Sequence, residues 1–187
     1  VRREWAAVVV GVRGRGGRDA GGGSSAGSEV YKSQIAGKAA AAAELCRRLG
    51  IQHPEGAPIV GVVSRLTAQK GIHLIKHACH RAIERGATFV LLGSAPDPAH
   101  QHEFNALADE MKRKYPGRSG FMFKYDEPLS HLIYAGCDFL LVPSMFEPCG
   151  LTQMIAMRYG TVPVVRPNGG LPGRAVIHIR AWPTTFA

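Results

Sequence analysis

The chain has 187 residues, of which 45% are hydrophobic and 20% charged, and this length suits one globular domain with a packed core. Its formal charge of +9 lies mostly outside the middle of the chain, because residues 51–165 hold eleven Lys or Arg against ten Asp or Glu. This near-neutral middle argues against a basic nucleic-acid-binding stripe, and no apolar run approaches the roughly 20 residues that span a bilayer.

The two ends of the sequence differ from its middle. Residues 1–30 are rich in Gly and Arg and offer little to bury, so we expect a disordered tail there. We take residues 31–171 as one folded domain and residues 172–187 as an atypical carboxyl-terminal tail. Because the sequence does not begin with methionine, we expect the chain to be a fragment, and we find no targeting peptide in it.

Helical and strand patterns alternate along the rest of the chain. An alanine-rich helix over 33–49 is ended by Gly50. After it, near-continuous apolar strands alternate with helices, a pattern that predicts an α/β fold with a Rossmann-like parallel sheet covered by helices on both faces. The predicted strands are 59–64, 88–93, 120–125, 138–143 and 162–166, and the predicted helices between them are 73–86, 99–115, 129–136 and 151–160.

The loops that follow the strands are the candidate binding segments, since ligands of such sheets bind beyond the carboxyl ends of the strands. The loop after the first strand carries Arg65 and Lys70 and ends at Gly71, where a helix begins. Two cations beside a helix amino terminus favour an anion, because free N–H groups and the helix dipole add to their charge. A pair of solvated loop cations is the alternative. In the loop after the second strand, we expect Gly93 and two prolines to hold the backbone open.

Two further loops carry polar or aromatic candidates. The octapeptide "FEPCGLTQ" follows the fourth strand and places Glu147 in the turn, with Gly150, Leu151 and Thr152 in the first turn of a helix. Glu147 could also simply favour the helix start electrostatically. Tyr125 follows the third strand and offers a flat face to a base or sugar, although packing is the more common role of such a residue.

The cysteine and histidine patterns do not indicate a metal site. The four cysteines lack C-x-x-C spacing, so we expect neither a zinc site nor a disulfide framework, and we favour a reducing compartment. His73 and His77 share one helix face, but no helical third ligand accompanies them. We therefore expect neither a metal nor a cofactor.

Four stretches of the sequence together resemble a known family: "SRLTAQKGIHLIKHA", "FVLLGSAPDP", "YDEPLSHLIYAGCDFLLVPSMFEPCGLTQMIAMRYG" and "GGL". They are similar to the carboxyl-terminal nucleotide-sugar domain of the starch synthases and bacterial glycogen synthases, family 5 glycosyltransferases of the GT-B fold. The resemblance covers residues 31–171 and is greatest to the class III starch synthases of plants and algae.

The resemblance implies an activity and its partners. Enzymes of this family transfer glucose from ADP-glucose to the non-reducing end of an α-1,4-glucan, such as starch or a glycogen primer, with retention of configuration. ADP-glucose is then a substrate, so no separate cofactor is implied. In a plant or green alga, the protein would work in the plastid, either chloroplast or amyloplast. Neither a nucleic acid nor a membrane is an expected partner.

The resemblance also implies roles for individual residues. Arg65 and Lys70 match residues that hold the diphosphate, and Glu147 matches the glutamate that faces the donor glucose; these three are the candidate catalytic residues. Tyr125 matches the tyrosine that stacks on adenine. The remaining candidate substrate-binding residues are Cys149, Gly150, Leu151, Thr152, Gly169 and Gly170.

Two departures from the family pattern leave alternatives open. Asn168 stands where the family has Thr before Gly-Gly-Leu, and no acid follows it. The amino-terminal GT-B domain that completes the active site is also missing, so we expect the fragment to be inactive by itself. One alternative is a non-catalytic nucleotide-sugar or glucan-binding module derived from the family. Another is a sucrose synthase, which would normally carry a second Glu where this chain has Ile155.

Overall fold

The computed structural model describes residues 24–166 and 177–178, with side chains described over 37–166. Helices and strands alternate throughout this part of the chain, and a single turn of 3-10 helix, Ala68–Lys70, follows the first strand. The helices are α1 (Ser24–Leu49), α2 (Ile72–Glu84), α3 (Pro98–Lys114), α4 (Glu127–Gly136) and α5 (Leu151–Arg158). The strands are β1 (Ile59–Val63), β2 (Thr88–Leu92), β3 (Ser119–Met122), β4 (Phe139–Val142), β5 (Val162–Val165) and β6 (Ile177–His178).

The strands form one parallel sheet in the order β3-β2-β1-β4-β5-β6. Chain order runs outward in both directions from β1 and β4, which pair through Val60 with Phe139 and Gly61 with Leu140. This doubly wound arrangement confirms the predicted Rossmann-like α/β fold. It also places the loops after β1 and β4 side by side at the point where the strand order reverses, which is where such sheets bind ligands.

Two apolar layers cover the sheet, one on each face. Helices α2 and α3 pack on one face, where Phe89 and Leu91 of β2 point. Helices α1, α4 and α5 pack on the other, where Val90 and Leu92 point. Successive residues of β2 thus face opposite cores, which explains why its sequence is apolar from Phe89 to Leu92.

Three differences from the sequence prediction are larger than two residues at the end of an element. Helix α1 begins at Ser24 and so crosses the predicted boundary at residue 31; the Ser and Gly residues of its first turns have low helix propensity, which hid its start. Strand β3 ends at Met122, opposite the end of β2 at Leu92, so Tyr125 lies in the loop. Strand β6 lies in the segment assigned to the carboxyl-terminal tail. Residues 1–23, 167–176 and 179–187 of the predicted tails and domain lie outside the described residues.

A partly buried lysine joins helix α1 to helix α4 and to the residue that precedes β5. The Lys38 Nζ atom donates hydrogen bonds to Thr161 Oγ1 at 2.7 Å and to the carbonyl oxygen of Ala135 at 3.1 Å. Burial lowers the pKa of Lys38 below its ordinary value, while the charge of Asp138 acts in the opposite direction. Among the helices described, none is both long and apolar enough to cross a membrane.

Gly61 in the middle of β1 provides a test of this packing. A Cβ atom at this position would lie 2.7 Å from Cys137 Sγ and 2.9 Å from Ile133 Cγ2. We expect Gly61→Ala to lower the free energy of unfolding by about 1–3 kcal/mol through overpacking, measured by urea denaturation.

The matched control is Gly37→Ala, in helix α1. No described atom lies within 4 Å of a Cβ atom added there, so we expect a gain of about 0.5–1 kcal/mol from helix propensity. Equal effects of the two substitutions would contradict the close contact between β1 and α4.

Candidate functional site

Two helices begin at the switch point of the sheet, and each begins at a glycine with a positive φ. Gly71 has φ 69° and precedes α2, and Gly150 has φ 66° and precedes α5. No side chain caps either helix start. Uncapped first-turn N–H groups at two neighbouring helices form a region suited to an anion, because the helix dipoles add to the unpaired donors.

Gly71 also allows the loops after β1 and β4 to touch. A Cβ atom at this position would lie 2.3 Å from the carbonyl oxygen of Pro143, a distance that no side chain can accommodate. Its positive φ would strain any other residue as well. The close approach fixes the start of α2 against the end of β4.

Two of the predicted catalytic residues meet directly between these loops. The Lys70 Nζ atom donates a hydrogen bond to Glu147 Oε2 at 2.6 Å, and the side chains are only 18% and 16% exposed. This partial burial strengthens the attraction relative to an exposed pair. The structure thus brings together the residues that the sequence assigned to the diphosphate and to the sugar.

A glutamine next to this ion pair joins the same two loops. The Met145 N–H donates to the main-chain oxygen of Gln69 at 2.8 Å. The Gln69 Nε2 atom donates to the main-chain oxygen of Phe146 at 3.2 Å. Sequence reasoning missed Gln69, because an exposed polar loop residue carries no pattern that signals a contact across the sheet.

The loop after β2 is closed against the loop after β1. A Cβ atom at Gly93 would lie 2.1 Å from the carbonyl oxygen of Ser64, and the Leu66 N–H donates to the main-chain oxygen of Ser94 at 2.9 Å. The expectation that Gly93 holds this loop open is therefore wrong. The absence of a side chain lets the two backbones approach each other.

Tyr125 lies apart from the ion pair but at the same edge of the sheet. Its side chain is 87% exposed, so its ring face is open to solvent. The next residue, Asp126, fixes the loop, since its carboxylate accepts from the Leu129 N–H at 2.8 Å and from Arg48 at 2.7 Å. Strand β3 is two strands from β1, which separates the two loops by about 10 Å at the usual strand spacing.

The other predicted site residues have varied surroundings. The side chains of Arg65, Cys149 and Leu151 are exposed. The Thr152 side chain hydrogen-bonds the phenol of Tyr134, whose pKa is raised by burial and lowered by this bond, with burial the larger effect. Gly169 and Gly170 lie outside the described residues.

Gln153 in α5 is a buried amide that the sequence did not single out. It is 1% exposed, and neither Nε2 nor Oε1 has a hydrogen-bond partner within the described part of the chain. Its amide lies under the Gly150 turn, where a Cβ atom of residue 150 would be 2.6 Å from Nε2. A buried amide without partners is destabilising, and this one lies directly beneath the uncapped helix start at Gly150.

The thiols and carboxylates of the site form no metal cluster. Over residues 37–166, no group of three or more His, Cys, Asp or Glu side chains is placed to hold a metal ion. All four cysteines are free; Cys149 is exposed, and the other three are buried. Lys70 places a positive charge beside Glu147, and Arg65 in the loop after β1 carries another.

Comparisons with known proteins identify a family. Residues 48–178 match the family model described as "Glycosyl transferases group 1". This match reaches β6 and therefore extends past residue 171, where the resemblance seen in the sequence ended.

Individual relatives confirm the resemblance to starch and glycogen synthases. The chain is 61% identical over 137 residues to soluble starch synthase 3a of Oryza sativa subsp. japonica, covering 73% of this chain and 7% of that protein. It is 46% identical over 140 residues to a glycogen synthase of Leptothrix cholodnii, covering 75% of this chain and 28% of that protein. The chain thus spans a small part of the length of these relatives.

A solved structure supports the same conclusion. The catalytic domain of starch synthase IV from Arabidopsis thaliana, bound to ADP and acarbose, matches with a TM-score of 0.67 and 48% identity. The match covers 71% of this chain and 27% of that chain.

The orphaned amide of Gln153 gives a test of the site as described. Methionine has a similar length and no strong hydrogen-bonding group, so Gln153→Met should raise the free energy of unfolding by about 1–3 kcal/mol. Thermal and urea denaturation would measure the gain.

Gln101→Met is the matched control for this experiment. The Gln101 amide accepts from the Ala95 N–H at 3.3 Å and donates to Asn105 Oδ1 at 3.0 Å, so its replacement should not stabilise the chain. A loss of stability in Gln153→Met would mean that a partner such as an ordered water satisfies the buried amide.

Proposed function

Since the chain belongs to the group 1 glycosyl transferases, we propose that it supplies the donor-binding half of a starch synthase. The donor is ADP-glucose, and the acceptor is the non-reducing end of an α-1,4-glucan. The glucose is transferred with retention of configuration. The chain would work together with an amino-terminal GT-B domain that carries the acceptor side.

The observation that carries this proposal is the contact between Lys70 and Glu147 at 2.6 Å, between two uncapped helix starts. A nucleotide sugar presents a diphosphate followed directly by a sugar. It therefore needs a cationic site and a hydrogen-bond acceptor next to each other. Lys70 is such a cation and Glu147 is such an acceptor, and the two side chains are in direct contact.

The cations and helix starts suit the leaving group of the reaction. Negative charge develops on the diphosphate as the bond to glucose breaks, and fixed positive groups stabilise that charge. Lys70 and the exposed Arg65 supply two such groups without a divalent ion. The first turns of α2 and α5 add main-chain N–H donors.

Donor binding would redistribute the contacts of the ion pair. In the unliganded chain Lys70 and Glu147 satisfy each other. A phosphate beside Lys70 and sugar hydroxyls beside Glu147 would give each side chain additional partners while the pair remains in place. Glu147 would then orient the glucose through its hydroxyl groups, and we assign it no proton transfer.

The position of Tyr125 fits the base of the nucleotide. Its ring is exposed, and its loop follows β3, which lies two strand spacings, or about 10 Å, from β1. Aromatic stacking on a base contributes about 1–3 kcal/mol. The starch synthase IV structure was determined with ADP bound, which supports an adenine nucleotide as the ligand of this chain.

The names of the relatives support a cellular location as well. Starch synthases of rice, Arabidopsis and potato that match this chain are described as chloroplastic or amyloplastic. In a plant or green alga, we propose the plastid as the place of action.

Isothermal titration calorimetry of the 187-residue chain with ADP tests the proposal. We expect Lys70→Ala to weaken binding about tenfold or more, because a charged hydrogen bond contributes about 1.5–3 kcal/mol. We expect Tyr125→Ala to weaken binding by about tenfold, from the loss of base stacking.

Lys76→Ala is the matched control, since Lys76 also forms a lysine–carboxylate pair, with Glu103 at 2.5 Å, but on the exterior of α2 and α3. It should bind ADP like the unchanged chain. Absence of ADP binding, or equal binding by all variants, would contradict the proposed donor site.

The same titration tests whether a metal takes part. Because Arg65 and Lys70 supply the positive charge, ADP affinity should be unchanged when EDTA is present. Loss of binding in EDTA that magnesium restores would show that a divalent ion is required at the site.

A further inference from the structure

The ion pair at the site depends on two loops that are far apart in sequence. Lys70 and Glu147 are 77 residues apart and follow different strands. Side chains of this length can adopt many rotamers, and holding them in contact costs conformational entropy. Something in the fold must keep the loops after β1 and β4 at one spacing.

Gln69 links these loops at the positions that directly precede the ion pair. Its main-chain oxygen accepts from the Met145 N–H at 2.8 Å, and its Nε2 atom donates to the Phe146 oxygen at 3.2 Å. The two bonds join the 3-10 turn Ala68–Lys70 to the loop after β4. We call these two bonds of Gln69 the loop bracket.

The side-chain bond of the loop bracket acts on Glu147 through the backbone. The carbonyl group of Phe146 belongs to the peptide unit that contains the Glu147 nitrogen, and this unit is planar. Fixing the carbonyl oxygen therefore restrains the position of the Glu147 Cα atom, from which the side chain leaves the backbone. On the other loop, Gln69 is bonded directly to Lys70 in the chain.

Burial does not explain the contact, because Gln69 is exposed. The bond between Nε2 and the Phe146 oxygen should thus add little to global stability. Its chemistry is nevertheless specific, since it requires a donor at the end of a side chain of this length. Glutamate at this position would lose the donor and place a second carboxylate near Glu147.

We propose that Gln69 is a positioning residue for the donor site, which holds Lys70 and Glu147 at the spacing that a nucleotide sugar requires. This inference rests on the proposed function of the site. Gln69 acts on the donor through the ion pair and need not contact the donor itself.

A double-mutant cycle on the 187-residue chain tests the proposal, with ADP-glucose affinity measured by calorimetry. Gln69→Ala should weaken binding about three- to tenfold, the usual effect of one lost hydrogen bond, with unchanged thermal stability. Gln69→Glu should weaken binding further. In a Lys70→Ala background, Gln69→Ala should have a smaller effect, because one member of the ion pair that it positions is gone.

The control is Gln101→Ala, which removes a glutamine that also bonds a loop backbone but does not join the loops after β1 and β4. It should leave ADP-glucose affinity unchanged. Unaltered affinity in Gln69→Ala, an undiminished effect in the Lys70→Ala background, or a fall in thermal stability that accounts for the weaker binding would overturn the positioning role.

Amide hydrogen exchange separates failure of this inference from failure of the proposed function. The Met145 N–H donates to Gln69, so Gln69→Ala should speed its exchange in the ligand-free chain if the side chain holds the bracket closed. Unchanged exchange would overturn the role of Gln69, whether or not nucleotide binds. Failure of the unchanged chain to bind ADP-glucose would instead contradict the donor site itself.

Discussion

The ion pair between Lys70 and Glu147 is the interaction to which the rest of the site is adapted. Two charges that are mostly removed from water are stable only if they remain in contact, because either charge alone would carry an uncompensated desolvation cost. That requirement constrains the loops after β1 and β4 at once. The strand order makes them neighbours, and Gly71 lets their backbones approach closely enough for the contact.

The same pair links two chemical tasks. A cation that faces a diphosphate and a carboxylate that faces a sugar are ordinarily separate recognition elements. Here each is the other's partner, so a displacement of one loop would affect both. This arrangement would suit the donor proposed above, in which phosphate and sugar belong to one molecule.

Most of the helices and strands were predictable, because burial requires apolar residues at regularly spaced positions. Strand β2 lies between two apolar layers, so its residues from Phe89 to Leu92 are all apolar, and the amphipathic spacing of α2 follows from packing on one face. Element ends were less predictable, since the end of β3 is set by its pairing with β2 rather than by its own residues. Within the site, charged residues and helix starts were recognisable from motifs.

Contacts between loops could not be read from the sequence in the same way. Glycine signals conformational freedom, but at Gly93 the decisive property is close approach to Ser64, a residue distant in the chain. Likewise, the amide of Gln153 shows its lack of partners only once its neighbours are known.

The closed loops after β1 and β2, joined through Leu66 and Ser94, also affect the entropy of ligand binding. Because these loops are already joined to each other, they lose little conformational entropy when a ligand binds. Binding should therefore carry a small unfavourable entropy and need no slow rearrangement of the loops after the first encounter.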